Sequence, residues 1–187
     1  MKKNYNEILY KNQYIECKDI ILRKYTEADI EGILEFGSDA KTLEHLDWEG
    51  LSTIEEAKDN LYNYYWSSPG IYAIEIKGTQ GTIGTIDIRV KTDNHSASCG
   101  YVLNRKHWGK GYMPQALGAI LKLLFEEIEI NKFEIQFYGG NEKSGRVMEK
   151  NGLVLEGVLK QSKFLKGKYR DVHLYGMTKE MYKTMLL

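Results

Sequence analysis

One stretch of the chain constrains the fold more than any other. It is a run that reads as a strand, passes through Gly-x-Gly and opens straight onto a long amphipathic segment. The residues are Tyr101-Val102-Leu103-Asn104-Arg105-Lys106-His107-Trp108-Gly109-Lys110-Gly111-Tyr112-Met113-Pro114. Downstream, Leu117, Ile120, Leu121, Leu124, Phe125 and Ile128 fall at i, i+3, i+4, i+7, i+8 and i+11, a single apolar stripe. The spacing predicts a helix over 111–129, with Pro114 in its first turn, where a missing N–H costs nothing. Two glycines let the backbone curl so that successive N–H groups point at one spot, and the helix start adds the positive end of its dipole. A phosphate or diphosphate can be held there by backbone alone, with Lys106 and Lys110 adding charge nearby. The bland alternative is a tight strand-to-helix turn with no ligand. Two familiar owners of such a turn fail. A Walker loop needs Ser or Thr after Gly-Lys, and Gly111 follows Lys110. A dinucleotide fingerprint needs a third glycine where Pro114 stands.

The flanking pattern sets the architecture. Ile20 to Tyr25 reads as a strand, and Thr26 with Asp29 as a capping box ahead of Ile30, Ile33 and Leu34. A second helix is expected from Ser52, with Glu55 three residues on and an apolar face of Ala57, Leu61, Tyr64 and Tyr65, ending at Ser67-Ser68-Pro69-Gly70. Alternation then predicts strands over 71–77, 82–90 and 97–103, joined by short connections that imply antiparallel neighbours. After the long helix come a strand over 133–138, a helix over 141–150 stopped by Asn151-Gly152, and a final strand pair over 153–164 and 169–177. This order defines a mixed α/β (α+β) domain, a sheet with helices on it.

Composition narrows the function. A chain of 187 residues makes one domain with a full core. Its 26 basic and 26 acidic side chains cancel, which argues against a nucleic-acid partner. Cys17 and Cys99 are the only cysteines, too few for a disulfide framework and without zinc spacing. His45, His95, His107 and His173 are too scattered to propose a metal. No apolar run suits an export signal or a membrane span, so a cytoplasmic protein is expected.

The segments Cys99-Gly100-Tyr101-Val102-Leu103, Trp108-Gly109-Lys110-Gly111-Tyr112 and Ala116-Leu117 together resemble the acetyl-CoA loop of the GNAT N-acetyltransferases. A second block, Asn141-Glu142-Lys143-Ser144-Gly145-Arg146-Val147-Met148-Glu149-Lys150-Asn151-Gly152-Leu153, is similar to a pattern of the RimJ/RimL-type branch. A third is Leu155-Glu156-Gly157-Val158-Leu159, ahead of Asp171 and Tyr175. The match runs from about Ile20 to Met177, and it divides the chain into an N-terminal extension, 1–19, and an N-acetyltransferase domain, 20–187. The resemblance implies a mostly antiparallel sheet splayed around a cofactor cleft, with helices on both faces. It implies acetyl-CoA as co-substrate, no metal, an amine acceptor, and a monomer or homodimer. The cofactor's diphosphate would lie on Gly109, Lys110, Gly111, Tyr112 and Met113, near Lys106. Its pantetheine arm would lie along Tyr101, Val102 and Leu103 as an added strand, held from the other side by Asn141. Lys143 and Arg146 would meet the ribose phosphate.

Four residues depart from the family pattern. Lys106 stands where Gln or Arg is usual, Met148 where many relatives carry a tyrosine acid, and Ser98 and Cys99 where relatives often place a strand glutamate. Ser144 is then the remaining hydroxyl for a general acid. Candidate bases are Glu44, His45, Asp47 and Asp87, with Asp87 on the strand beside the expected cleft. The expected reaction is direct acetyl transfer to a primary amine, of a protein N-terminus or a small molecule, in a ternary complex. The departures also motivate a rival, a CoA-binding sensor or interaction module with impaired catalysis.

Overall fold

Residues 71–76 alternate between two hydrophobic cores. Tyr72 and Ile74 join one cluster with Leu117, Ile120 and Leu124, while Ile71 and Ala73 join a second with Ile33, Phe36 and Leu61. A strand whose two faces are both apolar must be covered on both sides, and the chain supplies helices for each. The protein is described here by a computed structural model that covers residues 4–187. In chain order the elements are α1 (Tyr5–Lys11), β1 (Tyr14–Glu16), β2 (Ile20–Arg23), α2 (Ile30–Ser38), α3 (Ala40–Leu43) and α4 (Ile54–Asn60). There follow β3 (Ile71–Ile76), β4 (Gly84–Lys91), β5 (Ser96–Leu103), α5 (Tyr112–Lys122) and β6 (Lys132–Tyr138). The last are α6 (Glu142–Lys150), β7 (Val154–Leu165), β8 (Lys168–Thr178) and α7 (Lys179–Met185).

The strands form one eight-stranded sheet in the order β1-β2-β3-β4-β5-β6-β8-β7. Every neighbouring pair is antiparallel except β5 and β6, which run parallel across the helical crossover of α5. That parallel pair is short. Ser96, Ala97 and Ser98 pair with Lys132, Phe133 and Glu134, and there the pairing stops. Both strands continue, β5 to Leu103 and β6 to Tyr138, but apart. The sheet therefore opens into a cleft between two strands. This is the splayed, mostly antiparallel sheet with helices on both faces that the family resemblance implies.

The helix over 111–129 is present as α5 and a wider π turn through Ile128, ending at Glu129 in the left-handed region. Leu117, Ile120 and Leu124 are fully buried, each worth about 1.5–3 kcal/mol relative to an exposed side chain. The second helix starts one residue later than the spacing of Ser52 and Glu55 predicts. Thr53 is the cap, its hydroxyl accepting from Glu56 N at 3.2 Å, and Glu56 closes the box. Replacing Thr53 by Ala is expected to cost about 1 kcal/mol in a denaturant titration. Ser52→Ala should leave the midpoint unchanged.

The first three residues of the expected N-terminal extension lie outside the described residues. Of the rest, α1 packs Leu9 into the larger core and β1 adds an edge strand to β2. Among the described residues no helix is long and apolar enough to cross a membrane. No group of His, Cys, Asp and Glu there could hold a metal.

Candidate active site

The splay between β5 and β6 creates two adjoining cavities. The first, of about 460 Å3, runs from the β5 edge to the start of α5 and is floored by α6. Its wall includes Tyr101, Val102, Leu103, Gly109, Gly111, Tyr112 and Met113, with Asn141, Lys143, Ser144 and Arg146 opposite. The second, of about 500 Å3, lies toward β4 and the segment after α3, and includes Asp47, Tyr64, Asp87, Arg89, Cys99 and Tyr138. His45, Leu46, Tyr101, Val102, Asn141 and Ser144 belong to both. Their common wall is where a group in one cavity meets a group in the other.

The Gly-x-Gly turn is built as a cradle. Gly109 and Gly111 have φ of +76° and +82°, the left-handed region that favours glycine. A Cβ added to either would meet nothing within 4 Å, so the backbone there faces open space. Gly111 caps α5, whose first N–H groups point toward that space. The strand end is braced from behind, because Trp108 Nε1 donates to Leu103 O at 2.7 Å. Lys143 lies over the Trp108 ring, 4.4 Å from its centroid. Lys106 and Lys110 are exposed, and Lys106 is ion-paired with Glu35. An anionic diphosphate fits this turn, and the unpaired edge of β5 beyond Ser98 fits an extended chain of amides. The residues present thus suit the two ends of a CoA molecule.

Asp87 is buried and fully engaged. Its Oδ1 accepts from Gly100 N at 2.7 Å, and its Oδ2 accepts from Arg89 and from the Tyr64 hydroxyl at 3.4 Å. Asp87 and Gly100 are register partners on β4 and β5. A Cβ at position 100 would lie 2.7 Å from Asp87 Oδ1, so a larger residue there would push the carboxylate aside. Burial raises the Asp87 pKa, offset in part by Arg89 and the Gly100 N–H. Burial and the neighbouring carboxylate push the Tyr64 phenol up to about 12, so it stays protonated as a donor. Tyr64 and Arg89 are the partners that sequence reading missed. Tyr64 reads as helix rim, and only the packing of the π-helical turn after α4 against β4 brings its hydroxyl to Asp87.

The other expected residues divide. Ser144 stands on the common wall, its backbone oxygen accepting from the Tyr101 hydroxyl at 3.3 Å across the cleft. Asp47 lines the second cavity but is ion-paired with Lys163 at the turn end of β7. Glu44 pairs with Lys41 at 3.2 Å and lines neither cavity. Met148 is fully buried in the core, so its position offers the cleft no side chain. Cys99 is buried and unpaired, and burial pushes its thiol up, which suits a packed strand residue better than a nucleophile.

Comparison with known proteins agrees with this geometry. The acetyltransferase (GNAT) domain family matches residues 19–154, and the chain belongs to that family. An uncharacterized N-acetyltransferase of Bacillus subtilis, YoaA, is 27% identical over 170 residues, covering 88% of this chain and 96% of its own. The ribosomal-protein-serine acetyltransferase of Escherichia coli is 39% identical over 94 residues, half of this chain (50%) and 52% of its own. Among solved structures, the RimL ribosomal L7/L12 alpha-N-protein acetyltransferase in complex with coenzyme A superposes with a TM-score of 0.77. It shares 24% identity over 88% of this chain and 97% of its own. The chain is an acetyl-CoA-dependent N-acetyltransferase of the GNAT family.

Proposed function

We propose that the acceptor is a primary amine, of a protein N-terminus or a small molecule, and that it is acetylated by direct attack within a ternary complex. The observation that carries this reading is the pair of cavities meeting at one wall, the first suited to CoA and the second holding buried Asp87. Acetyl-CoA brings an activated thioester. The chain's residues supply position and charge. Backbone N–H groups at residues 109–113 bind the diphosphate, the β5 edge over 101–103 aligns the arm, and Asn141 holds it from α6. Lys143 and Arg146 lie where the ribose phosphate would be met, and Lys106 and Lys110 add positive charge to the approach.

The amine enters from the second cavity as an ammonium and must lose a proton. Asp87 takes it, directly or through one water. Its burial makes it a stronger base than a solvated carboxylate. The amine nitrogen then forms a bond to the acetyl carbon, the carbon–sulfur bond breaks, and the sulfur leaves with the electron pair. The nitrogen sheds its second proton as the bond forms, and Ser144 Oγ relays that proton to the departing sulfur. Asp47 lines the same cavity and, if freed from its pair with Lys163, is the second candidate base. Holding both reactants in one cleft supplies up to about 7–11 kcal/mol of the barrier reduction.

The test is release of free thiol from acetyl-CoA in the presence of an N-terminal peptide amine, a polyamine or an aminoglycoside. Turnover with one of them, and mass spectrometry showing one added acetyl group on nitrogen, is the expected result. Binding of acetyl-CoA with no turnover on any amine would instead favour a sensor.

A further inference from the structure

The common wall of the two cavities carries four polar side chains, those of His45, Tyr101, Asn141 and Ser144. The Tyr101 hydroxyl is used by the Ser144 carbonyl, and the reading above gives Asn141 and Ser144 their roles. His45 is left over. Its Nδ1 is buried and has no hydrogen-bond partner among the described residues. The ring edge bearing Nδ1 and Cε1 packs against Gly140, where a Cβ would lie 3.2 Å from Cε1 and 3.8 Å from Nδ1. Gly140 holds a φ of +101° and leaves room for the imidazole to pack over it. Nε2 is not a buried unpartnered atom and makes no hydrogen bond within the described residues, so it is the nitrogen left to the two cavities that His45 lines.

The orphan atom decides the protonation. A proton on Nδ1 would create a buried N–H donor with no acceptor, which costs about 1–3 kcal/mol. The neutral tautomer with hydrogen on Nε2 avoids that cost, whereas the other neutral tautomer and the imidazolium both incur it. Burial acts in the same sense, while the surrounding charges are mixed. Burial lowers the His45 pKa, with Arg170 and Lys41 acting in the same direction and Glu44 and Glu142 opposing them. A neutral imidazole is a poor acid and, with its lone pair buried, a poor base. It is a good hydrogen-bond donor, and it needs no proton transfer to act.

We propose that His45 donates its Nε2–H to the thioester carbonyl oxygen of the acetyl group, at the wall where the two cavities meet. The inference rests on the cleft binding acetyl-CoA as described above. As the amine adds to the carbonyl carbon, negative charge grows on that oxygen, and the hydrogen bond strengthens as it does. No proton changes hands at His45, which separates this role from that of Asp87.

The test uses acetyl-CoA labelled with carbon-13 at the carbonyl and bound to the full chain without any amine. A hydrogen bond to the oxygen moves the carbonyl carbon signal downfield of free acetyl-CoA. The wild-type complex should show that shift, His45→Ala should lose most of it, and His45→Gln, which keeps a side-chain N–H, should retain part. Calorimetry should show both variants still binding acetyl-CoA, weakened by no more than about tenfold, the worth of one hydrogen bond. An unchanged downfield shift in His45→Ala overturns the role of His45 and leaves the cofactor cleft standing, as does a bound wild-type signal with no shift. Absence of acetyl-CoA binding by the folded wild-type protein overturns both together.

Discussion

Gly111→Trp will fold and lose acetyl-CoA binding by roughly 100-fold or more, equivalent to about 2.7 kcal/mol. Gly111 caps α5 and has open space at its Cα, so an indole there would fill the volume that the diphosphate needs. Placing a non-glycine residue at a φ of +82° costs stability. That cost is about 1–2 kcal/mol, small beside the 5–15 kcal/mol that holds a domain of this kind folded. The circular-dichroism melt should therefore shift down by several degrees and stay cooperative. Calorimetric titration with acetyl-CoA should then show no measurable heat at concentrations that saturate the wild type. A folded variant that binds as well as the wild type would mean that the turn is a structural feature and that the diphosphate lies elsewhere.

Asp87→Asn should reduce kcat/KM for the best amine by about 100-fold or more, the usual range for a lost general base. Asparagine keeps an oxygen for Gly100 N, so the strand pairing at Asp87 and Gly100 should survive and acetyl-CoA affinity should be unchanged. The pH dependence gives a second readout. Burial raises the Asp87 pKa, so the carboxylate takes up its proton at a higher pH than a solvated aspartate. Arg89, Tyr64 and the Gly100 N–H are the groups that face it. Proton uptake removes the base, so wild-type activity falls as pH falls through that raised value. The residual activity of the variant should lack this acidic limb. A variant that keeps nearly full activity and the same pH profile would move the base elsewhere on the acceptor wall, and Asp47 would be next to examine.

Much of this was legible in the sequence because it is periodic or local. The apolar stripe from Leu117 to Ile128 fixes α5, and Gly109 and Gly111 fix the turn ahead of it, since both read directly as backbone demands. The alternation around 71–103 gives the antiparallel half of the sheet for the same reason. What the sequence hides is register. The stop in pairing after Ser98 and Glu134 makes the cleft, yet nothing in the pattern of β5 or β6 marks it. The Asp87–Tyr64 contact spans 23 residues and needs a strand and a helix set side by side. The Lys163–Asp47 pair spans 116 and depends on an irregularity in β7 between Leu159 and Lys163. The one-residue error at Ser52 has a simpler cause. Ser52-Thr53 and Glu55-Glu56 offer two capping boxes in adjacent registers, and the burial of Ala57 and Leu61 selects the second. Residues 5–16 escaped because a helix of seven residues and a strand of three carry too little periodicity to announce themselves.

One placement is central, that of the CoA diphosphate on the backbone of residues 109–113 with the arm along the free edge of β5. A crystal structure of the wild-type protein grown with CoA tests it most directly. The expected result is phosphate density within hydrogen-bond distance of the N–H groups that open α5, and arm amides pairing with Tyr101 to Leu103. CoA bound elsewhere on the molecule, with the cleft between β5 and β6 closed or filled by side chains, would contradict it.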